Sequence, residues 1–146
     1  MKTMREILFR GKRKDNGEWV EGVYYKQTEY YGDPLERHYI ITTTESLSYD
    51  FALIYYEVIP ETVGQYTGLT DKNGKKIFEG DICQTKGFPL VDEKPFVIEW
   101  NSDECSFYWR DVAETNEFTI RCSQCTTVIG NIHDNRLEDI KSGVEL

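Results

Sequence analysis

Residues 71–82 read Asp-Lys-Asn-Gly-Lys-Lys-Ile-Phe-Glu-Gly-Asp-Ile, a turn signal followed by strand-forming residues. Asn73-Gly74 is typical of a tight hairpin, because these residues adopt the positive φ angles that such turns require. The pattern predicts a strand over 76–84 that follows this turn. Gly80-Asp81 is expected to form a corner beside the strand, with the Asp side chain bonded to the turn backbone.

A similar pattern stands near the N-terminus, where Lys14-Asp15-Asn16-Gly17 separates two apolar segments. The two Asn-Gly pairs lie 57 residues apart, and the Glu-Gly pairs that follow them, at 21–22 and 79–80, lie 58 residues apart. Convergent turn chemistry and a duplicated hairpin both explain this spacing. Either explanation predicts two similar hairpins that organise two β lobes.

Short segments rich in β-branched and aromatic residues recur between turn signals, as half-buried strands require. No stretch of a dozen residues keeps a 3.6-residue apolar period, and only 135–141 is predicted as a short helix. The fold class is therefore all-β, an antiparallel barrel-like or sandwich architecture built from short hairpins. The predicted strands are 5–10, 18–25, 38–44, 53–59, 76–84, 95–101, 105–112, 117–122 and 126–132.

The composition is that of an acidic globular protein. The chain has 146 residues, 39% of them hydrophobic, and a formal net charge of −9. This length predicts a single domain over 1–146, with two packed lobes of about 1–60 and 61–146 as the alternative arrangement. Apolar runs are too short for a membrane helix or a secretory signal, so a cytoplasmic location is expected. The four cysteines are accordingly expected to be reduced thiols.

Charge is unevenly distributed along the chain. Residues 1–14 carry a net charge of +5, whereas residues 15–146 carry −14. The acidic part should repel phosphate backbones, which argues against direct nucleic-acid binding. The basic segment is expected to fold back on the acidic part, with contact to an acidic partner as the alternative.

The central stretch from Val58 to Ile82 (VIPETVGQYTGLTDKNGKKIFEGDI) resembles the signature of the YopX family, small proteins of bacteriophages and prophages of Gram-positive bacteria. The resemblance extends to Phe9-Arg10-Gly11-Lys12 with Gly17-Glu18-Trp19-Val20, and to Val128-Ile129-Gly130-Asn131-Ile132-His133-Asp134-Asn135. The chain departs from the family after Asn135, where Arg136-Leu137-Glu138 replaces the usual Pro-Glu-Leu. The resemblance implies a phage or prophage origin, a host-cell location and an all-β, barrel-like fold, and it implies no activity.

Several glycine, asparagine and aspartate positions are predicted to be structural. Gly64-Gln65-Tyr66-Thr67-Gly68 lacks the Gly-Lys-Ser/Thr and the following helix of a phosphate-binding loop. Its glycines are instead expected to permit close backbone approach or a bulge between strands. The full structural set is Gly64, Gly68, Asn73, Gly74, Gly80, Asp81, Gly130 and Asn131.

No metal site, cofactor or catalytic residue is predicted. Cys122-Ser123-Gln124-Cys125 is a single CxxC motif, which Cys105 and His133 would complete as a three-Cys, one-His zinc site. Structural zinc usually has a second paired motif, so small reduced thiols are the favoured interpretation. His38 and His133 are the two candidate general bases, and no recognised catalytic motif accompanies them. A non-enzymatic protein is therefore the favoured interpretation.

Tyrosines are concentrated in the first half of the chain, where eight of the ten lie between residues 24 and 56. Neighbouring tyrosines in a strand point to opposite faces, so one of each pair stays exposed. Exposed tyrosine suits a protein interface, with strand propensity and core packing as the alternative explanation. The candidate binding residues are Tyr24, Tyr25, Tyr30 and Tyr31.

The leading functional hypothesis is a non-enzymatic protein-interaction module, with self-association as one form of that interaction. A second hypothesis is an acidic decoy that competes with nucleic acid for a host protein, based on the charge of residues 15–146. A third is a small metal-dependent binder or enzyme around Asp81, His133 and Cys122. The last hypothesis requires a cleft that brings these three side chains together.

Overall fold

The computed structural model describes residues 2–28, 31–32, 34–44, 52–86, 95–111, 117–119, 125–136 and 138–139. Over these residues the all-β prediction is confirmed, and the strands form antiparallel sheets rather than a closed barrel. No helix in this described part of the chain is long and apolar enough to cross a membrane. The strands are β1 (Phe9–Lys12), β2 (Trp19–Gln27), β3 (Arg37–Thr44), β4 (Ala52–Glu57), β5 (Gly64–Thr70), β6 (Lys76–Phe78), β7 (Asp81–Thr85), β8 (Phe96–Asn101), β9 (Ser106–Asp111), β10 (Glu117–Thr119) and β11 (Thr126–Asn131), with a 3-10 helix at Pro60–Thr62.

The chain divides into two compact units, residues 1–65 and 66–146. In the first unit the strand order is β4-β3-β2-β1, and the first two residues of β5 pair with β1. The segment after β4 returns to β1, where the Ile59 N–H donates to the Lys12 carbonyl at 2.9 Å. Ile40 and Val58 are fully buried in this unit. The same inner face carries Gly11, where an added Cβ would lie 3.1 Å from the Val58 side chain.

In the second unit the remainder of β5 pairs with β6, and five strands form a sheet of order β10-β9-β8-β7-β11. A buried cluster covers one face of this sheet, and the rings of Phe96 and Trp109 stack there with centroids 4.0 Å apart. Ile82 and Val97 are buried on the opposite face. The centre of this sheet is thus apolar on both sides, which explains the nearly continuous apolar runs in β7 and β8.

Both Asn-Gly sequences form hairpin loops, as predicted. In the first, the Arg13 N–H donates to the Glu18 carbonyl, and Gly17 has a φ of +72°. In the second, the Asp71 N–H donates to the Lys75 carbonyl, and Gly74 has a φ of +80°. The positive φ angles belong to the glycines and not to the asparagines, so these are three- and four-residue loops closed by a left-handed glycine rather than two-residue turns.

Three details of the strand prediction are wrong. The strand predicted over 5–10 is β1, Phe9–Lys12, and residues 5–8 are not in a strand. The predicted strand 76–84 is divided into β6 and β7, because Gly80 has a φ of +87° and turns the chain. Residues 64–70 form β5, which was not among the predicted strands, and its register with β6 shifts between Tyr66 and Thr70. That shift confirms the bulge expected near Gly68, which also has a φ of +87°.

The predicted C-terminal helix over 135–141 is described only at 135–136 and 138–139. Glu138 and Asp139 have helical backbone, and the Asp139 N–H donates to the Arg136 carbonyl at 3.1 Å. Residues 120–122, which were predicted to end a strand, also lie outside the described residues.

Candidate functional site

One face of β2, β3 and β4 presents apolar side chains to the solvent. Residues directly opposite each other in antiparallel strands share a face, and alternate residues of a strand share it too. The pairings Val23–Ile41–Tyr55 and Tyr25–Tyr39 therefore place these five side chains on one face. Leu53 belongs to the same set as Tyr55, since it lies two residues earlier in β4. We call these six residues the apolar face.

Four members of the apolar face are strongly exposed: Val23 by 63%, Tyr25 by 49%, Leu53 by 59% and Tyr55 by 57%. The other two members, Tyr39 and Ile41, are half-buried between them. The rings of Tyr25 and Tyr39 stack across the strands with centroids 6.4 Å apart. Scattered exposed apolar residues are common, whereas a contiguous group of this kind is typical of an interaction surface.

Cations pack at the β1 end of this sheet face. The pairing of β1 with β2 places Arg10 and Lys12 on the same side as Trp19. The Arg10 guanidinium lies 4.7 Å and the Lys12 ammonium 5.7 Å from the Trp19 ring centroid. Farther along the chain, Lys14 forms an ion pair with Glu57 at 3.0 Å. These contacts place part of the basic N-terminal segment against its own unit.

The opposite face of β2 and β3 carries a chain of polar groups. The Tyr24 hydroxyl lies 2.5 Å from His38 Nδ1, and His38 Nε2 lies 2.9 Å from Glu36 Oε1. Lys26 Nζ approaches the same Glu36 oxygen at 3.0 Å. Because the Glu36 carboxylate accepts from Nε2, Nδ1 accepts a hydrogen bond from the Tyr24 hydroxyl. Both ring nitrogens of His38 are thus hydrogen-bonded.

The surroundings of these polar groups shift the pKa values of Tyr24 and Glu36. Burial raises the pKa of the Tyr24 hydroxyl, with Lys26 opposing and Glu36 adding to the shift. The hydrogen bond from Lys26 lowers the pKa of Glu36, and His38 contributes in the same direction. Tyr24 therefore stays a neutral phenol near pH 7, packed 5.5 Å from the ring of Phe9.

The four candidate tyrosines have different surroundings. Tyr25 lies on the apolar face, whereas Tyr24 is half-buried on the opposite face. Tyr31 is 95% exposed with a φ of +47°, between β2 and β3. Tyr30 lies outside the described residues. The sequence interpretation did not single out Tyr55, although the alternation in Ala52–Glu57 that predicts a strand also predicts that one of Tyr55 and Tyr56 is exposed.

In the second unit, the Gly80-Asp81 corner has the structural role expected of it. Asp81 is 1% exposed, and its Oδ2 accepts the Phe78 N–H at 2.8 Å. The Gly80 N–H donates to the Ile98 carbonyl, and its own carbonyl accepts from Ile132. This confirms that the Asp81 side chain bonds the turn backbone.

Two glutamates beside this corner have opposite pKa shifts. Burial raises the pKa of Glu79, and the nearby Glu99 carboxylate adds to the shift. Burial also opposes ionisation of Glu99, but hydrogen bonds from Arg110 and Tyr108 outweigh it and lower the pKa. Glu79 and Asp81 do not share one strand face, because the turn at Gly80 separates them.

Other residues that were predicted to be structural also bond the backbone or lie where strand pairing is tight or irregular. Asn131 Oδ1 accepts the N–H groups of His133 and Asp134, each at 3.0 Å. Gly130 follows a shift in the register between β11 and β7. Gly64 is buried where β5 pairs with β1.

The candidate zinc ligands are only partly described. Cys105 is exposed, with its Sγ 3.5 Å from the Ser102 carbonyl, and Cys125 is half-buried. The His133 ring packs against Gly80, with Nε2 3.4 Å from the position of an added Cβ. Cys122 lies outside the described residues, and within those residues no three His, Cys, Asp or Glu side chains are grouped to hold a metal ion.

Comparisons with known proteins found a matching family model and a similar solved structure. The sequence matches the family model described as YopX protein over residues 8–138, which confirms the resemblance seen in the sequence. No curated protein matches the chain. The crystal structure of protein EF1440 from Enterococcus faecalis is similar with a TM-score of 0.55, at 21% identity over 90% of this chain and 96% of that chain. At that identity the likeness concerns the fold alone.

Proposed function

This chain belongs to the YopX family, and we propose that it is a non-enzymatic protein-interaction module of phage or prophage origin that binds its partner through the apolar face. The observation that carries the proposal is the group of four side chains, each about half exposed or more, on β2 and β4, the two strands that flank β3 in one sheet. This face fits a partner that has a complementary apolar surface.

The energetics favour binding at this face. Burial of apolar surface contributes roughly 25 cal/mol per Å². A tyrosine buries about 150–250 Å² when fully covered, so the exposed parts of Tyr25 and Tyr55 alone offer a substantial gain. Both rings are attached to strands, where the backbone is already ordered, and this limits the entropy lost on binding.

Two polar groups that were candidates for chemistry have structural hydrogen bonds. His38 has both ring nitrogens bonded, and the Asp81 carboxylate bonds the Phe78 backbone. These bonds stabilise the β2–β3 pair and the corner at Gly80. The acidic-decoy hypothesis has less support, because several described carboxylates are neutralised within the chain by ion pairs at Asp15, Glu36, Glu57 and Glu99.

The test is affinity capture from a host lysate followed by titration of the purified captured protein. Val23→Lys places a charge on the β2 side of the apolar face, and we expect it to weaken the captured complex at least tenfold. Ile7→Lys is the matched control, since Ile7 is 66% exposed in the segment before β1. Equal affinity of the wild type and Val23→Lys for the captured protein would overturn the proposal.

A further inference from the structure

The edge of β4 differs from the other sheet edges of the described residues. Strands β4, β6, β10 and β11 lie at the ends of the strand orders. Two of them, β6 and β10, have three residues each, and β11 has an irregular register between Val128 and Gly130. In contrast, β4 has six residues with regular pairing throughout, and its one charged residue is Glu57 at the end. Short length, charges and bulges are the devices that protect sheet edges, and β4 has none of them along 52–56.

The direction of the β4 backbone groups follows from the hydrogen bonds at its end. The Val58 N–H donates to the His38 carbonyl, so residue 58 bonds toward β3. Backbone bonding direction alternates along an antiparallel strand, which means that even-numbered residues of β4 bond toward β3. The odd-numbered residues must then direct their N–H and C=O groups to the free edge. The Glu57 carbonyl agrees, since it accepts the Lys14 N–H on that side.

Leu53 and Tyr55 therefore direct two N–H and two C=O groups outward. Residue 57 is already covered at this edge by the chain at Lys14. Within the described residues, no hydrogen bond reaches the outward groups of Leu53 or Tyr55. An added strand would satisfy all four.

We propose that the added strand is β4 of a second copy of this chain, paired antiparallel so that Leu53 lies opposite Tyr55 of the copy and Ile54 opposite Ile54. This inference goes beyond the proposed function, because the pairing uses the backbone edge of β4 and leaves the two apolar faces exposed. The register is two-fold symmetric and uses the four outward groups of each chain, forming four intermolecular hydrogen bonds.

The side chains fit this register on both faces. Each Leu53 packs against a Tyr55 of the copy, which joins the two apolar faces into one surface. On the other face, the two Ile54 side chains meet in a non-hydrogen-bonded pair, where opposing residues are closest. The alternative register with Tyr55 opposite Tyr55 would need residue 57 at the edge that Lys14 covers.

Charge permits this contact. Residues 52–56 are uncharged, and Glu57 is paired with Lys14, so no carboxylate opposes another within the four hydrogen bonds. The net charge of −9 on each chain repels at longer range. Added salt screens that repulsion over about 10 Å at 0.1 M, and dimerisation is therefore expected to strengthen with ionic strength.

Cysteine cross-linking tests the register directly. Ile54→Cys is expected to form an intermolecular disulfide under mild oxidation, identified by mass spectrometry as a 54–54 linked peptide, because Cα atoms in a non-hydrogen-bonded pair are close enough. Tyr55→Cys and Leu53→Cys are matched controls, since each links to itself only in another register. A 55–55 or 53–53 link without a 54–54 link would overturn the proposed pairing.

Light scattering and sedimentation measure the dimer itself. Leu53→Pro removes the outward N–H, twice per dimer, and we expect it to raise the dimer dissociation constant at least tenfold. Leu53→Ala keeps the N–H and should raise it less. Equal effects of the two variants would indicate side-chain packing without strand pairing and would overturn the proposal, as would a wild-type monomer at several hundred micromolar.

Two further tests distinguish a failure of the second-copy proposal from a failure of the proposed function. Leu53→Lys adds a charge at the edge and should also give a monomer, which serves if Leu53→Pro loses its circular dichroism spectrum. If Val23→Lys loses its captured partner while Ile54→Cys fails to cross-link, then the interaction module stands and the second copy is rejected. The opposite pair of results would reject the host partner and retain the self-pairing.

Discussion

The two Asn-Gly hairpins begin with the same turn signal and differ in what holds each loop. The loop between β1 and β2 is attached at its first residue, where the Lys14 N–H donates to the Glu57 carbonyl. Its other contacts are local: Asn16 Oδ1 accepts the Glu18 N–H, and Arg13 pairs with Asp15. The loop between β5 and β6 is bound to a distant strand, since the Lys72 N–H donates to the Thr126 carbonyl. The local signal thus specifies a turn, and another residue decides how strongly the turn is held to the rest of its unit.

That residue stands three positions before the loop glycine. In the first hairpin it is Lys14, an exposed side chain that pairs with Glu57. In the second it is Asp71, which is 5% exposed and accepts N–H groups from Asn73, Lys75 and Val128. One buried carboxylate therefore organises the loop and also holds it to β11.

The glycine after each glutamate serves a different purpose in the two hairpins. Gly22 lies within β2, where an added Cβ would stand 2.1 Å from the Ile41 backbone oxygen. Gly80 has a φ of +87° and forms a corner, and an added Cβ there would lie 3.4 Å from the nearest side-chain atom. Close approach requires the first glycine, and backbone conformation requires the second.

The largest effect is expected from removing the buried carboxylate. Asp71→Ala leaves three backbone donors without their acceptor, and we expect it to lower the free energy of unfolding by about 4 kcal/mol. Lys14→Ala at the matching position of the first hairpin should cost about 0.5 kcal/mol, because its ion pair is solvent-exposed. Urea unfolding measures both. Similar losses in the two variants would show that the hairpins are fastened in the same way.

The second effect separates the two Glu-Gly glycines. Gly22→Ala forces the backbones of β2 and β3 apart, and we expect it to destabilise the protein by about 3 kcal/mol. Gly80→Ala meets only the cost of a left-handed backbone, about 1–2 kcal/mol. Hydrogen exchange should report faster exchange in β2 and β3 for the first variant and around β6 and β7 for the second. A Gly22→Ala variant as stable as wild type would contradict the close approach.

Local patterns in the sequence predict most strands and both turns, since these depend on neighbouring residues. The strands predicted from them do not include β5, because its two glycines are compatible with a bulge or a close approach as well as with a strand. They also join β6 to β7, because a Gly within an alternating run is compatible with either a bulge or a corner. The bond from Val128 to Asp71 spans 57 residues, and no local pattern predicts it.

The candidate site was predictable in part for a related reason. Strand alternation predicts that Tyr24 and Tyr25 point to opposite faces, as do Tyr55 and Tyr56. It does not predict which face is buried, because that depends on what packs on the sheet. Ile40 and Val58 are fully buried on the inner side, and this leaves Tyr25 and Tyr55 exposed on the other.

A third effect is expected to be equal in the two hairpins. Gly17 and Gly74 have φ angles of +72° and +80°, and an added Cβ at either position meets no atom within 4 Å. Alanine at each position should therefore cost only the backbone term, about 1 kcal/mol. Urea unfolding of the two variants tests this equality. A difference larger than 1 kcal/mol would mean that the turns themselves differ, and not only their attachments.

The smallest effect concerns the charge of Asp71. Burial opposes ionisation of this carboxylate, but hydrogen bonds from Val128, Lys75 and Asn73 outweigh it and lower its pKa. A carboxyl group whose pKa is lower in the folded state adds stability above its unfolded pKa, near 4, and loses it as pH falls through the folded value. Other carboxylates with lowered pKa values, such as Glu99, act in the same direction, so the measurement is the difference between wild type and Asp71→Asn. That difference should be constant from pH 7 to 5 and shrink below pH 4, because protonation weakens the three hydrogen bonds without removing the side chain. A difference that does not change with pH would mean that the shape of the Asp71 side chain, and not its charge, fastens the second hairpin.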